Sequence, residues 1–381
     1  MKRLIGLITS LAIFTANIGI VFAEEVKVDI SSKSAILMDV SSGKVIFEKN
    51  SNEKLPPASV TKVMTMLLIV EALESGKIKI DDEVQISENA SSMGGSQIFL
   101  EPGETQKVDD LLKGIAVASA NDACVAMAEY IGGSVEEFVV LMNNKAKELG
   151  MVNTNFVNTN GLPVENHYTT AYDIALMSKE LLSHEIISKY LTTWMDNVVV
   201  GKNKNTVGLA NTNKLVKHYN GTTGVKTGFT NEAKFCVSAS AKRDNTHLVC
   251  VILGGETSQE RFKDATTLLN YGFANYDTQK IIQKDTKVTT VQVDKAKEEI
   301  VDVVCKDDLD ILLKKGEDKE FTKKIELSKD IKLPVKKGDT IGKLQVYQKD
   351  KLIGEIDLIS NKDINRANYF EMLEKVVYSL M

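Results

Sequence analysis

Residues 57–70 read Pro57-Ala58-Ser59-Val60-Thr61-Lys62-Val63-Met64-Thr65-Met66-Leu67-Leu68-Ile69-Val70. From Val60 to Leu73 the stretch is apolar nearly all round, which predicts a helix buried in a core, and Gly76 suits its C-terminal stop. Ser59 follows Pro56 and Pro57 and opens this helix, where backbone N–H groups lack helical partners and the dipole is positive. Ser59 and Lys62 share one helical face a turn apart. A serine hydroxyl becomes a useful nucleophile only with a base in hydrogen-bond reach. The pair alone is weak, because an N-cap serine followed by a surface lysine reads the same way. Ser41/Lys44 and Ser51/Lys54 repeat the spacing in or beside turns, where the pair would not converge.

Outward from that helix, residues 34–38 and 44–47 read as two strands around a turn at Ser41-Ser42-Gly43. Helices are predicted over 108–115, 122–131, 135–149, 170–182 and 259–273. Thr169 or Thr170 opens the fourth, with Asp173 in its first turn. Residues 235–241 and 246–253 read as antiparallel strands around Arg243-Asp244-Asn245. Strands at both ends of this region, with helices between them, point to one sheet closed by both ends of a domain. Residues 288–293, 300–304, 341–347 and 352–359 alternate in strand fashion, with Lys336-Lys337-Gly338-Asp339 as a turn, and read as an all-β module.

The chain has 381 residues, 47 basic and 52 acidic side chains, and a net charge of −5. Single cores stop growing beyond roughly 250–300 residues, so two domains are expected. A pI near 5.6 argues against nucleic-acid binding, which needs a basic excess. Met1-Lys2-Arg3, an uncharged run over 4–22 and Val21-Phe22-Ala23 before Glu24-Glu25 have the layout of a secretory signal peptide over 1–23, with an uncleaved membrane anchor as the alternative. Either way the remainder is exported, and cleavage would leave a chain near −7. Residues 277–381 hold 21 basic and 21 acidic side chains, so the negative balance lies upstream and the shift at Tyr276-Asp277 marks a domain boundary. Cys236 and Cys250 flank the 243–245 turn as possible cross-strand neighbours, but a bridge there would staple little, and buried thiols are expected. No cysteine–histidine spacing resembles a zinc site, and no cofactor is implied.

Two further motifs complete the chemistry. Ser119-Ala120-Asn121 lies at a helix junction after Ile115-Ala116-Val117-Ala118, where Ser119 would equally serve as a cap; Ser87-Glu88-Asn89 is a decoy. Lys226-Thr227-Gly228 occurs once and leads toward the strand near Phe235, and Gly228 would let backbone come close to a bound ligand. Taken in order, Ser-x-x-Lys, Ser-x-Asn and Lys-Thr-Gly resemble the serine acyl-transferases that include penicillin-binding proteins and class A β-lactamases. The wider resemblance is to the D-alanyl-D-alanine carboxypeptidases. It runs through 57–65, Ser119-Ala120-Asn121-Asp122-Ala123, Asn160-Gly161-Leu162, His167, Thr170-Ala171-Tyr172-Asp173 and Gly224-Val225-Lys226-Thr227-Gly228, and covers nearly all of the chain beyond residue 23. Ala120 stands where relatives have Gly or Asp, and Phe229 where some have His.

The resemblance implies an α/β (α+β) catalytic domain of the DD-peptidase and β-lactamase type over 24–276, with an antiparallel sheet and a helical cluster. A small all-β domain over 277–362 and an amphipathic helix over 363–381 would follow. Ser59 would attack the penultimate D-alanine carbonyl of a peptidoglycan stem peptide ending in D-Ala-D-Ala, and Lys62 would take its proton. Lysine ordinarily titrates near 10.4, so burial and a neighbouring cation, Lys226, must lower it. Lys226 and Thr227 would receive the terminal carboxylate, Asn121 would orient Lys62 and the substrate amide, and Ser119 would relay a proton to the departing D-alanine. Backbone N–H groups of Ser59 and Phe229 would form the oxyanion hole, and Gly228 would be part of the substrate-binding strand, letting its backbone come close to the ligand. Arg261 would help hold the carboxylate or lie on the surface. β-Lactams would be trapped covalently on Ser59.

A Ser-His-Asp triad is the obvious competitor, yet no Gly-x-Ser-x-Gly elbow appears; His167 reads as loop structure. A class A β-lactamase needs a Glu-x-x-Leu-Asn stretch that Glu136-Glu137-Phe138-Val139-Val140 and Glu148-Leu149-Gly150 do not supply. A transpeptidase shares the first step, and a catalytically dead wall-binding protein would not need Ser59, Lys62 and Lys226. Phe370, Leu373, Val377 and Leu380, with Tyr369 and Val376 beside them, form an apolar stripe at helical spacing. The family resemblance implies that this helix lies on the outer face of the cytoplasmic membrane; the alternative is packing on the β module.

Overall fold

The computed structural model describes residues 28–328 and 331–380. The expected signal peptide over 1–23, and the side chains of Val376 and Leu380, lie outside the described residues. The chain begins with β1 (Ser34–Asp39) and β2 (Val45–Lys49), then a 3-10 turn at Ala58–Thr61 runs into α1 (Lys62–Glu74). Short elements β3 (Glu83–Gln85), α2 (Glu88–Ser91) and β4 (Thr105–Lys107) lead to α3 (Val108–Lys113). A π-helical turn at Gly114–Ala118 separates α3 from α4 (Asn121–Gly132), and α5 (Val135–Glu148), α6 (Ala171–Ser183) and α7 (Ser188–Thr192) follow. A hairpin of β5 (Met195–Val200) and β6 (Asn205–Ala210) and the short α8 (Leu215–His218) precede β7 (Thr222–Thr230), β8 (Lys234–Arg243), β9 (Thr246–Gly255) and α9 (Ser258–Asn275).

The five strands at the two ends form one antiparallel sheet in the order β2-β1-β9-β8-β7. Period-two alternation sorts its side chains: Ile36, Met38, Val249 and Val251 face the helical cluster, while Ala35, Leu37, Leu248 and Cys250 face α9. α1 runs through the first of these cores with ten of its residues buried, from Lys62 to Ala72, as its all-round apolar sequence requires. Its start therefore sits deep in the molecule, beside the outer strand β7.

Helix starts follow the side chains available. Thr170 accepts from Asp173 N–H at the start of α6, and Thr257 with Glu260 forms a capping box at the start of α9. Ser119 does not open α4, whose N-cap is Ala120; it closes the π turn as its C-terminal residue in a left-handed conformation (φ 63°). The β8–β9 hairpin closes through Asp244-Asn245, as the sequence predicted. Its register separates the two cysteines, however. Cys236 faces Gly228 of β7, and Cys250 faces Ala239, so they are not cross-strand neighbours; all four cysteines are buried free thiols.

From Tyr276 to Ser360 the regular elements are all β-strands. β10 (Tyr276–Ile282) pairs with β13 (Leu309–Lys314). β11 (Lys287–Gln292), β12 (Ile300–Cys305), β16 (Lys351–Ser360), β15 (Thr340–Gln348) and β14 (Thr322–Leu327) form a second five-stranded sheet in that order. Its core is Val301, Val303, Ile341, Leu344 and Leu358. The turn at 336–339 closes with Asp339 N–H donating to the Lys336 carbonyl at 3.0 Å. α10 (Tyr369–Leu380) ends the described chain.

Candidate active site

The 3-10 turn places Ser59 half-buried at the mouth of α1 and Lys62 fully buried one turn below it. A surface lysine beside a capping serine is thereby ruled out. Lys62 Nζ lies 3.0 Å from Ser59 Oγ, 2.6 Å from Asn121 Oδ1 and 2.7 Å from the Asn160 carbonyl oxygen. Burial pulls the Lys62 ammonium down to about 8, with Asp122 among the groups that oppose the fall.

Asn121 reaches Lys62 because it is held from behind. Its Nδ2 donates to the Gly94 carbonyl (2.7 Å) and its backbone N–H to the Ser96 carbonyl (2.7 Å). The next residue, Asp122, is wholly buried and accepts from the backbone N–H groups of Ile98 and Leu100, fixing the loop over 94–100 against the start of α4. Ser119 is 4% exposed, and its hydroxyl makes no hydrogen bond among the described residues.

The third motif lies on β7. Thr227 and Lys226 are 5% and 1% exposed, and the Thr227 hydroxyl donates to Thr212 Oγ1 at 2.7 Å. Lys226 Nζ has one acceptor among the described residues, the Thr227 carbonyl at 3.0 Å. Burial first, and Lys62 second, push its ammonium well below the ordinary lysine range. Lys226 is thus a buried amine short of acceptors, and an incoming carboxylate would supply one and favour its charged form. The charge coupling expected between the two lysines is felt at Lys226, whereas burial accounts for Lys62.

Gly228 explains how β7 meets α1. A Cβ there would lie 2.9 Å from the Pro57 carbonyl oxygen and 3.0 Å from both Ala58 Cβ and Ser59 N. Only hydrogen fits, so the strand passes directly against the nucleophile's backbone. Gly161 does the same from the other side: with φ of 86°, its missing Cβ would fall 1.8 Å from the Ala58 carbonyl oxygen. Phe229 is half exposed at the rim, its ring 4.4 Å from that of Phe235.

Arg261 was expected either to hold a carboxylate or to lie on the surface. It is 7% exposed, so the surface alternative fails. Its guanidinium donates to the backbone carbonyls of Gly228 (2.9 Å) and Cys236 (3.1 Å), tying α9 to β7 and β8 behind the site. His167 is a structural residue: Nδ1 accepts from Val157 N–H at 3.0 Å, leaving Nε2 to donate to Thr61 Oγ1 at 2.8 Å, and burial holds its pKa near 4. The Asn160 carbonyl and Thr212 were not among the candidates. The first is backbone and leaves no side-chain signature, and the second stands alone in sequence, ten residues or more from any motif.

Comparisons with known proteins agree with this arrangement. The family described as D-alanyl-D-alanine carboxypeptidase matches residues 21–257, and that described as the C-terminal domain of penicillin-binding protein 5 matches residues 276–366. The chain is 47% identical to the D-alanyl-D-alanine carboxypeptidase DacF of Bacillus subtilis over 91% of this chain and 89% of that one. It is 34% identical to DacC of Escherichia coli, covering 92% and 89%. The crystal structure of penicillin-binding protein 5 from Haemophilus influenzae superposes with a TM-score of 0.74 at 31% identity, covering 89% of this chain and 98% of that one. A buried lysine beneath a helix-opening serine, on a scaffold shared over this much of its length, makes the chain a member of the D-alanyl-D-alanine carboxypeptidase family.

Proposed function

We infer that the protein is a serine-type D-Ala-D-Ala carboxypeptidase acting on peptidoglycan stem peptides. The observation that carries this is the environment of the Lys62 amine. As a free base it has two N–H donors and one lone pair. Two of its three neighbours, Asn121 Oδ1 and the Asn160 carbonyl, only accept, so the lone pair is left for the third, the Ser59 hydroxyl. That is a base aimed at a nucleophile.

The substrate's terminal carboxylate docks at Lys226 and Thr227; with Thr212 as donor in place of acceptor, the Thr227 proton is free for it. A carboxylate there favours a charged Lys226, and that charge favours a neutral Lys62. Ser59 Oγ then adds to the penultimate D-alanine carbonyl while its proton passes to Lys62. The oxyanion is received by the N–H groups of Ser59 and Phe229, a reading supported by the close approach of Gly228 to the Ser59 backbone nitrogen. Each such donor is worth about 3–4 kcal/mol. Ser119, with its hydroxyl unengaged, hands a proton to the leaving D-alanine, Asn121 orients Lys62, and water cleaves the acyl-enzyme. Arg261 holds the strand that carries the carboxylate site. A β-lactam enters by the same first step and stays on Ser59. The test is release of free D-alanine from a stem pentapeptide, complete with native protein and absent with Ser59→Ala; no release from folded native protein would contradict the assignment.

The family matches support a catalytic unit ending near 276 followed by a β module to about 362. The tail supports a peripheral membrane site on the outer face. Tyr369 and Phe370 are about three-quarters exposed, and Leu373 and Val377 half exposed. Meanwhile Lys375 donates to the Ala296 carbonyl and Glu299, and Glu371 pairs with Lys297. Lys375 and Glu371 thus face the module, while Tyr369, Phe370, Leu373 and Val377 face away from it. No helix among the described residues is long and apolar enough to cross a membrane.

A further inference from the structure

The C-terminal ends of α1 and α6 meet roughly 18 Å along α1 from Lys62. Glu71 and Glu74 share one face of α1, and Glu180 and His184 lie four residues apart at the end of α6. Glu74 Oε2 is 2.8 Å from His184 Nδ1. A carboxylate only accepts, so Nδ1 carries the proton and the lone pair of the neutral ring sits on Nε2. That nitrogen is buried and has no hydrogen-bond partner among the described residues; Glu180 Oε1 stands 4.0 Å from it. One ligand atom each from Glu71, Glu180 and His184 lies within 4.8 Å of the other two. A single point therefore falls within about 2.8 Å of all three, against roughly 2.0–2.2 Å for zinc bonds to imidazole and carboxylate. We propose that Glu71, Glu180 and His184 bind a divalent transition-metal ion, with Zn²⁺ the best fit, and that the ion clamps the ends of α1 and α6 together.

The buried lone pair carries the argument. Nε2 is an acceptor whose neighbours at this corner are two carboxylates, which also only accept, so nothing between them supplies a donor. A cation at their common point satisfies all three at once. Imidazole as a ligand selects a transition metal over magnesium or calcium, which take oxygen. The Glu74 bond to Nδ1 is the arrangement that fixes the tautomer of a metal-binding histidine and raises its basicity. Two helices end here, and their carbonyl ends add negative potential. Among the described residues the one lysine paired with these acids is Lys145, 2.9 Å from Glu71 Oε1. It also holds Glu148 at 2.8 Å and keeps that partner when Glu71 turns inward. Drawing each ligand atom in by about 1 Å closes the set, and water completes a four-coordinate shell.

The test is calorimetric titration of the chelator-treated full chain with Zn²⁺, repeated with Co²⁺ under visible absorption. Native protein is expected to bind one equivalent of zinc, and cobalt is expected to show d–d bands without a thiolate charge-transfer band, since all four cysteines are buried elsewhere. His184→Gln/Glu180→Gln should abolish the site, and Glu74→Gln should weaken it about tenfold or more by loosening the ring. Saturation at about one hundred times Kd should raise the thermal midpoint by roughly 5 °C or more, and not in the double variant. Penicillin acylation should be the same in every variant, which shows that each is folded and keeps the test separate from the catalytic assignment. No zinc binding by native protein, a thiolate band with cobalt, or affinity that survives the double substitution or is unmoved by Glu74→Gln overturns the metal site. The first of these results would leave His184 as an imidazolium bridging Glu74 and Glu180.

Discussion

Lys62 Nζ stands 3.0 Å from Ser59 Oγ, with its other contacts made by two carbonyl oxygens. The geometry is that of an amine with one direction left open, and the open direction holds the nucleophile. Everything else near the site keeps this pair in place: Gly228 and Gly161 pack against the backbone of residues 57–59, and Asn121 is anchored through Gly94 and Ser96.

The first consequence concerns pH. Only neutral Lys62 can accept the Ser59 proton, and burial brings its pKa to about 8. Roughly one tenth of the molecules hold the free base at pH 7 and most do at pH 9. Stopped-flow acylation by penicillin should therefore accelerate with rising pH and level off above about 8. Asn121→Asp puts a carboxylate against the amine and favours its charged form, moving the bend upward by roughly 1 unit or more. A profile flat from pH 6 to 9, or unmoved by Asn121→Asp, would count against Lys62 as the base.

Gly228→Ala tests the close approach of β7. The added methyl meets backbone at 2.9–3.0 Å, so the strand must retreat from Ser59. Overpacking of this kind costs about 1–3 kcal/mol of stability. The catalytic loss should be larger, about 100-fold or more in kcat/KM, because a displacement near 1 Å spoils alignment. Circular dichroism with D-alanine release separates the two effects; near-native turnover in the variant would mean that β7 does not position the substrate.

Much of this was legible in sequence, for reasons that can be named. Apolar residues on every side of α1 announced burial, and three motifs marked Ser59, Asn121 and Lys226. β7 was visible only as a motif leading to a strand: Thr-Thr-Gly-Val-Lys-Thr-Gly-Phe-Thr lacks alternation, and pairing with β8 makes it extended. The three-residue strands β3 and β4 are too short to carry a period. Helix α3 stops at Lys113 because the chain turns into a π turn that delivers Ser119 in a left-handed conformation. The separation of Cys236 from Cys250 follows from the hairpin register: Arg243 pairs with Thr246 and Ala239 with Cys250, so Cys236 lies three residues from the position that faces Cys250.

The tail gives a prediction of its own. With Tyr369, Phe370, Leu373 and Val377 facing outward, the protein lacking 1–23 should sediment with anionic lipid vesicles. Deletion of residues 363–381 should abolish that binding and leave acylation by penicillin unchanged. Equal sedimentation of the deleted and intact proteins would reject the tail as the anchor.

The most direct measurement is intact-protein mass spectrometry after incubation with benzylpenicillin. Native protein should gain the mass of one penicillin, carried on the peptide that contains Ser59, and Ser59→Ala should gain nothing. Folded native protein that stays unmodified, or a Ser59→Ala variant that is modified as readily, would contradict the assignment of Ser59 as a nucleophile served by Lys62.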